Sequence, residues 1–314
     1  MAMTMTPDAP ATRPAAGSPA IVARGLTKRF GGVTAVRDLN FEVRPGRVTG
    51  FLGPNGAGKT TTLRMLLGLV HPTDGEATVL GMPYRSLDRP TWAVGAVLET
   101  HAFHPQRSGR NHLRVQAAAS GIPVRRVDEV LDQVGLAGAA AVKVGKYSLG
   151  MRQRLGLAGA LLGDPSVLIL DEPANGLDPQ GIRWLRELLR AFAARGNAVL
   201  ISSHLLAEMA QMADDVIVIH RGRLIRQGSV HELTNGGAVL RVGSPEPGRL
   251  AGALEADGMS VQLDGEGRLR VRHGSAERVG VLAFRAGIPL VELAKEQGTL
   301  EDVFLELTNE ETAR

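Results

Sequence analysis

Four short, largely apolar runs punctuate the chain: Val48 to Leu52, Val167 to Leu170, Val199 to Ser202 and Val216 to Ile219. Val, Ile and Leu without polar alternation predict strands buried on both faces, as in a parallel sheet covered by helices. Between these runs the period changes. After Lys59, the residues Leu63, Leu66, Leu67 and Val70 fall on one helical face, and Trp184, Leu185, Leu188, Leu189 and Phe192 do the same further on, with a stop near Gly196. Together they predict an α/β fold around a mainly parallel sheet. Past Asn235-Gly236-Gly237 the pattern breaks into short alternating pieces, Val239 to Val242, Val261 to Leu263 and Leu269 to Arg272, which predict half-exposed strands of a small α+β domain. A last helix is expected to open at Thr299, with Asp302 three residues on as a variant capping box, ahead of Val303, Phe304, Leu305 and Leu307. The expected organisation is a tail over residues 1–20, a main domain over 21–234 and a small domain over 235–314.

Length and composition narrow this picture. The 314 residues suit one large domain and a smaller one, and 44% hydrophobic with 22% charged residues is a globular balance. Cysteine is absent, which excludes disulfides and thiolate metal sites and agrees with a reducing, cytoplasmic setting. The formal charge of +4 comes with scattered arginines and no long basic run, so a nucleic-acid partner is not expected. No apolar stretch approaches the roughly 18–20 residues that cross a bilayer, so a membrane role would run through a partner. The Ala-, Pro- and Thr-rich start lacks the layout of a signal peptide and is expected to be a loose tail.

Candidate chemistry begins at Gly53-Pro54-Asn55-Gly56-Ala57-Gly58-Lys59-Thr60, which fits G-x-x-x-x-G-K-[ST] between the strand ending at Leu52 and the helix starting near Lys59. Glycines let several N–H groups converge on one phosphate chain at the positive end of a helix. Lys59 adds a full charge against the β- and γ-phosphates, the Thr60 hydroxyl can ligate Mg²⁺, and Thr61 extends the ATP-binding segment. A Gly-rich turn without ligand is the bland alternative. Alone, the loop says only nucleoside triphosphate, since kinases, GTPases and motor ATPases share it. The run Val167 to Leu170 ends in Asp171-Glu172-Pro173. Asp171, at a strand's carboxyl end, is placed to hold Mg²⁺ through water. Glu172 can accept a proton from the attacking water, as general base. Solvated strand-end acids are the alternative.

With these motifs in hand, the chain over about Ile21 to Leu233 resembles the ABC transporter nucleotide-binding domain. Tyr147-Ser148-Leu149-Gly150-Met151-Arg152-Gln153-Arg154 resembles the family signature L-S-G-G-Q and its basic continuation. The resemblance implies that Ser148 and Gly150 contact the γ-phosphate of ATP held by an opposing subunit. Tyr147, Leu149 and Met151 depart from the usual Leu, Gly and Gln, which implies weaker or slower closure. Asn175-Gly176-Leu177-Asp178-Pro179 resembles the D-loop, with Asp178 across the dimer seam, and Ile201-Ser202-Ser203-His204 resembles the H-loop, whose histidine helps place the attacking water. Phe30 is similar to the aromatic that stacks on adenine. At the Q-loop the family's Gln is Glu99 here, a carboxylate able to approach the metal or to shift coupling; an exposed glutamate without a role is the alternative. His101 and His104, two histidines with no further clustered ligand, read as solvated.

The resemblance further implies a P-loop NTPase fold with a helical subdomain, ATP and Mg²⁺ as ligands, and a homodimer. It also implies an integral membrane permease engaged around Glu99 to Asn111 and a peripheral position on the cytoplasmic face of the membrane. The ending from Thr299 to Thr308 resembles that of daunorubicin-type and other ABC-2 exporter ATPases, which implies ATP-driven efflux of a drug or natural product. Two other classes stay in view. An ABC ATPase acting on nucleic acid or ribosomes usually carries a long coiled coil or two nucleotide domains, and the sequence has neither; a non-hydrolysing regulatory module is disfavoured by Asp171, Glu172 and His204.

Overall fold

The computed structural model describes residues 17–98, 103–235, 239–265, 267–272, 274–296, 299–301 and 304. Its two compact units divide between Gln227 and Gly228, so the short helix at Val230–Asn235 groups with the second unit. The expected tail lies mostly outside the described residues, as do Glu99 and His101.

The first unit begins with β1 (Ile21–Phe30), β2 (Val33–Val43), β3 (Val48–Leu52), α1 (Lys59–Leu66) and β4 (Asp74–Val79). It continues through α2 (Pro90–Ala93), β5 (Val94–Val97) and three helices, α3 (Gly109–Ala119), α4 (Arg125–Gln133) and α5 (Leu149–Leu161). Then β6 (Val167–Leu170), α6 (Pro179–Ala194), β7 (Ala198–Ser203), α7 (Leu206–Met212), β8 (Asp215–His220) and β9 (Arg223–Ser229) follow. Six strands form one sheet in the order β5-β6-β7-β3-β8-β9, and the pairs from β5 to β8 are parallel. All residues of β3, β6 and β7 are buried, which is why these stretches read as unbroken apolar runs.

A second layer has no counterpart among the sequence expectations: an antiparallel sheet in the order β2-β1-β4. Its apolar side, with Ile21, Leu26, Val36, Leu39, Phe41 and Val43, shares one core with Phe51, Ile169, Leu200 and Ile217 of the parallel sheet. Phe41 and Phe51 meet at 5.5 Å between ring centroids. Leu63, Leu66 and Leu67 enter the same core, but α1 ends at Leu66 and the chain turns at Gly68 (φ 65°), which leaves Val70 past the helix and half-buried. In α6, Leu185, Leu189 and Phe192 are buried, Trp184 and Leu188 half so, and Gly196 (φ 86°) follows the helix end in the left-handed conformation that glycine tolerates. The helices α3, α4 and α5 form the helical subdomain, inserted between β5 and β6.

After α8 (Val230–Asn235), the second unit runs β10 (Val239–Gly243), α9 (Pro247–Ala256), β11 (Ser260–Leu263), β12 (Leu269–Arg272), α10 (Ala276–Arg285) and β13 (Glu292–Glu296). The strand order β11-β12-β10-β13, antiparallel throughout, makes it a split β-α-β-β-α-β unit. Leu240, Val242, Leu250, Leu254, Leu269, Val271 and Val279 build its own core. Of the expected last helix, Leu300 and Glu301 are helical and Leu300 is buried, while Asp302, Val303, Leu305 and Leu307 lie outside the described residues.

Candidate functional site

The glycine-rich loop leaves β3 at its carboxyl end and is clamped from outside. A Cβ on Gly53 would lie 2.5 Å from the Ile219 carbonyl oxygen, and one on Gly58, where φ is +101°, would lie 2.5 Å from that of Ala35. Any side chain at either position forces the loop out of place. The Ala57 N–H donates to the Pro54 carbonyl at 3.1 Å, and the Ala57 carbonyl accepts from the Gly222 N–H at 3.0 Å. Gly58 caps α1 without a side-chain bond, so the first-turn N–H groups face outward at the positive end of the helix. Pro54, Asn55 and Gly56 are exposed, and Thr60 and Thr61 half-buried.

Lys59 is only 6% exposed. Its ammonium donates to the carbonyls of Gly53 (2.7 Å) and Pro54 (3.4 Å) and lies 3.4 Å from Glu172 Oε1. Glu172 Oε2 in turn meets His204 Nδ1 at 2.9 Å. Next door, Thr60 Oγ1 donates to Asp171 Oδ2 at 2.7 Å. The other oxygen of the buried Asp171 accepts a hydrogen bond from Ser202 Oγ, and that hydroxyl also receives the Glu172 N–H at 2.9 Å. The sequence places Ser202 in the H-loop-like segment but gives it no role of its own. Three adjacent parallel strands, β3, β6 and β7, thus deliver Lys59, Thr60, Asp171, Glu172, Ser202 and His204 to one crevice at the sheet's carboxyl edge, where open α/β sheets bind ligands.

Glu172 carries backbone strain: its φ is +47°, the left-handed region, which costs a residue with a Cβ about 1–3 kcal/mol and persists only when neighbours over-determine it. The Ser202 bond to its N–H, the Asp171 N–H bond to the Val97 carbonyl and the Asn175 N–H bond to the Glu172 carbonyl supply that determination.

A family profile described as ABC transporter matches residues 36–175, and a second, described as a domain of unknown function, matches 238–301. The chain is 37% identical over 290 residues to the bacitracin transport ATP-binding protein BcrA of Bacillus licheniformis, covering 90% of this chain and 95% of that one. The chain belongs to the ABC transporter family, as an ATP-binding subunit. It is also 38% identical over 296 residues to the Nod factor export ATP-binding protein I of Burkholderia lata, covering 92% and 96% of the two chains. Among solved structures, cbiO1 from Clostridium perfringens, part of the ABC transporter complex cbiONQ, matches with a TM-score of 0.62 at 27% identity over 68% of this chain and 90% of its own.

In this ABC ATP-binding subunit Ser148, Gly150, Asp178 and Phe30 make contacts of their own. Ser148 is exposed and caps α5, its hydroxyl accepting from the Met151 N–H at 3.2 Å; Asp178 is exposed and caps α6, accepting from the Gly181 N–H at 2.7 Å. The two segments touch each other: a Cβ on Gly176 would lie 2.1 Å from a δ-carbon of Leu149, and one on Gly150 would lie 3.6 Å from a δ-carbon of Leu177. Leu149, one of the departures from the signature, is accommodated because residue 176 is glycine. Tyr147, another, is buried; its hydroxyl donates to the Ala139 carbonyl at 2.7 Å and burial pushes its pKa up. A Cβ on Gly109 would lie 2.3 Å from that hydroxyl, so Tyr147 packs directly on the start of α3. Phe30 is 51% exposed at the end of β1, with the Lys28 ammonium 4.9 Å above its ring. Glu99 lies outside the described residues.

Proposed function

We propose that this ABC ATP-binding subunit hydrolyses ATP and powers an exporter through a separate integral membrane permease, at the cytoplasmic face of the membrane. The observation that carries the reading is the crevice in which a P-loop lysine, a threonine–aspartate pair and a glutamate–histidine pair interlock within hydrogen-bond distances.

The amides from Gly56 to Thr60 and the Lys59 ammonium bind the triphosphate, whose oxygens displace the carbonyls that Lys59 now contacts. Phe30 stacks on adenine and uses the exposed face of its ring. Thr60 and Asp171 offer a hydroxyl and a carboxylate already 2.7 Å apart, hard oxygen groups that would hold Mg²⁺, Asp171 through water. When bound there, Mg²⁺ supplies neutralisation of charge on the β- and γ-phosphate oxygens. Glu172 takes the proton of the attacking water, and His204, bonded to its other oxygen, fixes the carboxylate's direction. Lys59 stays beside the phosphoryl oxygens as charge moves onto them.

Ser148, Gly150 and Asp178 complete the site of a second copy in an ATP-closed homodimer, a state preferred only while the γ-phosphate is present. The segment from Glu99 to Asn111 hands the change to the permease, and the Glu99 carboxylate is a further candidate donor to the metal. Nucleic acid is not expected as a partner. Export, rather than uptake, is favoured by the names of the bacitracin and Nod factor relatives and by the chain's ending. Glu172→Gln should keep ATP binding, form an ATP-stabilised dimer on size exclusion and lose phosphate release; normal release in that variant removes Glu172 from its role. ATP turnover stimulated by a co-purified membrane protein supports the transport assignment, and unstimulated turnover argues for a soluble ATPase.

A further inference from the structure

Neither catalytic carboxylate of the proposed hydrolysis holds its position alone. Across the β6–β7 pairing Leu170 lies opposite Ile201, so the next residues, Asp171 and Ser202, stand side by side at the strand ends. The Ser202 hydroxyl is fully buried and does two things at once: it donates to Asp171 Oδ1 and accepts the Glu172 N–H at 2.9 Å. Because Thr60 occupies Asp171 Oδ2, Ser202 fixes the aspartate's remaining freedom. The bond to the Glu172 N–H fixes the peptide plane ahead of its Cα, the Asn175 N–H bond to the Glu172 carbonyl fixes the plane after it, and between the two φ is held at +47°. The peptide orientation that Ser202 holds is the one that sends the Glu172 side chain towards Lys59 and His204.

We propose that Ser202 is a positioning residue for ATP hydrolysis: it aims Glu172 by holding its backbone in the left-handed conformation, and it sets the rotamer of Asp171. The inference rests on the hydrolytic reading above. It assigns Ser202 no contact with the nucleotide, so its loss should appear in the chemical step and not in binding. Val and Thr each add one methyl-sized branch at this buried position, but Val removes both hydrogen bonds while Thr keeps the hydroxyl.

The test compares Ser202→Ala, Ser202→Val and Ser202→Thr in the purified full chain. Outer-shell partners of this kind are worth about 10–100-fold. Ser202→Ala and Ser202→Val should lose that much kcat with KM for ATP within about twofold, and Ser202→Thr should regain most of it. Hydrogen exchange on the nucleotide-free protein reads the same hold without turnover: the amide of Glu172 should exchange faster in the Ala and Val variants and at the wild-type rate in the Thr variant. Wild-type kcat in Ser202→Ala, equal impairment in the Ala and Thr variants, or unchanged exchange at Glu172 overturns the proposal. Absence of turnover in the wild-type chain would instead overturn the hydrolytic reading, and the exchange result would still report whether Ser202 holds Glu172.

Discussion

Two sets of residues carry the chemistry proposed for this protein, and they are built differently. Lys59, Thr60, Asp171, Glu172, Ser202 and His204 come from three neighbouring strand ends and each bonds at least one other member. Ser148 and Asp178 come from helix starts, are exposed, and spend their side-chain bonds on capping their own helices. A set that is closed on itself needs only a ligand, whereas a set that faces solvent gains a role only from what docks on it. In the proposed mechanism the first set performs hydrolysis and the second registers that another copy has arrived.

Substitutions in the two sets should separate binding, turnover and assembly. The largest loss is expected at Lys59: Lys59→Ala removes a charge-assisted contact worth about 1.5–3 kcal/mol, so ATP affinity should fall by roughly 10–150-fold, measured by titration with a fluorescent nucleotide. Undiminished affinity would count against the phosphate loop. Asp171→Asn should raise the Mg²⁺ concentration needed for turnover by about 10–100-fold while nucleotide binding without metal stays close to wild type. Ser148→Ala should behave in the opposite way. Monomer binding of ATP should be unchanged, the ATP-dependent dimer of the Glu172→Gln background should disappear on size exclusion, and loss of the cap should cost about 1 kcal/mol in denaturant unfolding. A dimer that survives would move Ser148 out of the second set.

The smallest effect is expected from a residue in neither set. Burial, reinforced by the Arg107 charge, pushes the pKa of His112 below its ordinary value, and its Nδ1 is buried without a partner among the described residues. The folded chain therefore resists protonation there. Below the ordinary value of about 6.5 the unfolded state takes up the proton first, so this contribution is complete above that pH and stability falls as pH drops through the window beneath it. His112→Gln should flatten that part of the melting-temperature profile without touching ATP affinity.

What the sequence made legible follows from the range of each interaction. The strands β3, β6, β7 and β8 are short apolar runs because both their faces are buried, and a burial pattern is local. The phosphate loop is contiguous, so its glycines, lysine and threonine could be read as one motif. The antiparallel layer was not legible because β1 does not alternate cleanly: its pairing with β2 shifts register between Ala23 and Leu26 and again between Leu26 and Lys28, around Gly25 at φ 57°. Ser202 was hidden for a different reason. Its meaning depends on which strand lies beside β7 and in what register, and no local pattern carries that. The strained φ of Glu172 is likewise invisible in a sequence where glycine would be the expected signal.

In the proposed mechanism the interlocked strand-end residues hydrolyse bound ATP through Glu172. Single-turnover phosphate release tests it directly, with wild type and Glu172→Gln loaded with equal amounts of Mg-ATP. Release is expected from the wild type, with a rate at least about 100-fold lower in Glu172→Gln at matched nucleotide occupancy; equal rates in the two proteins would remove Glu172 from the reaction.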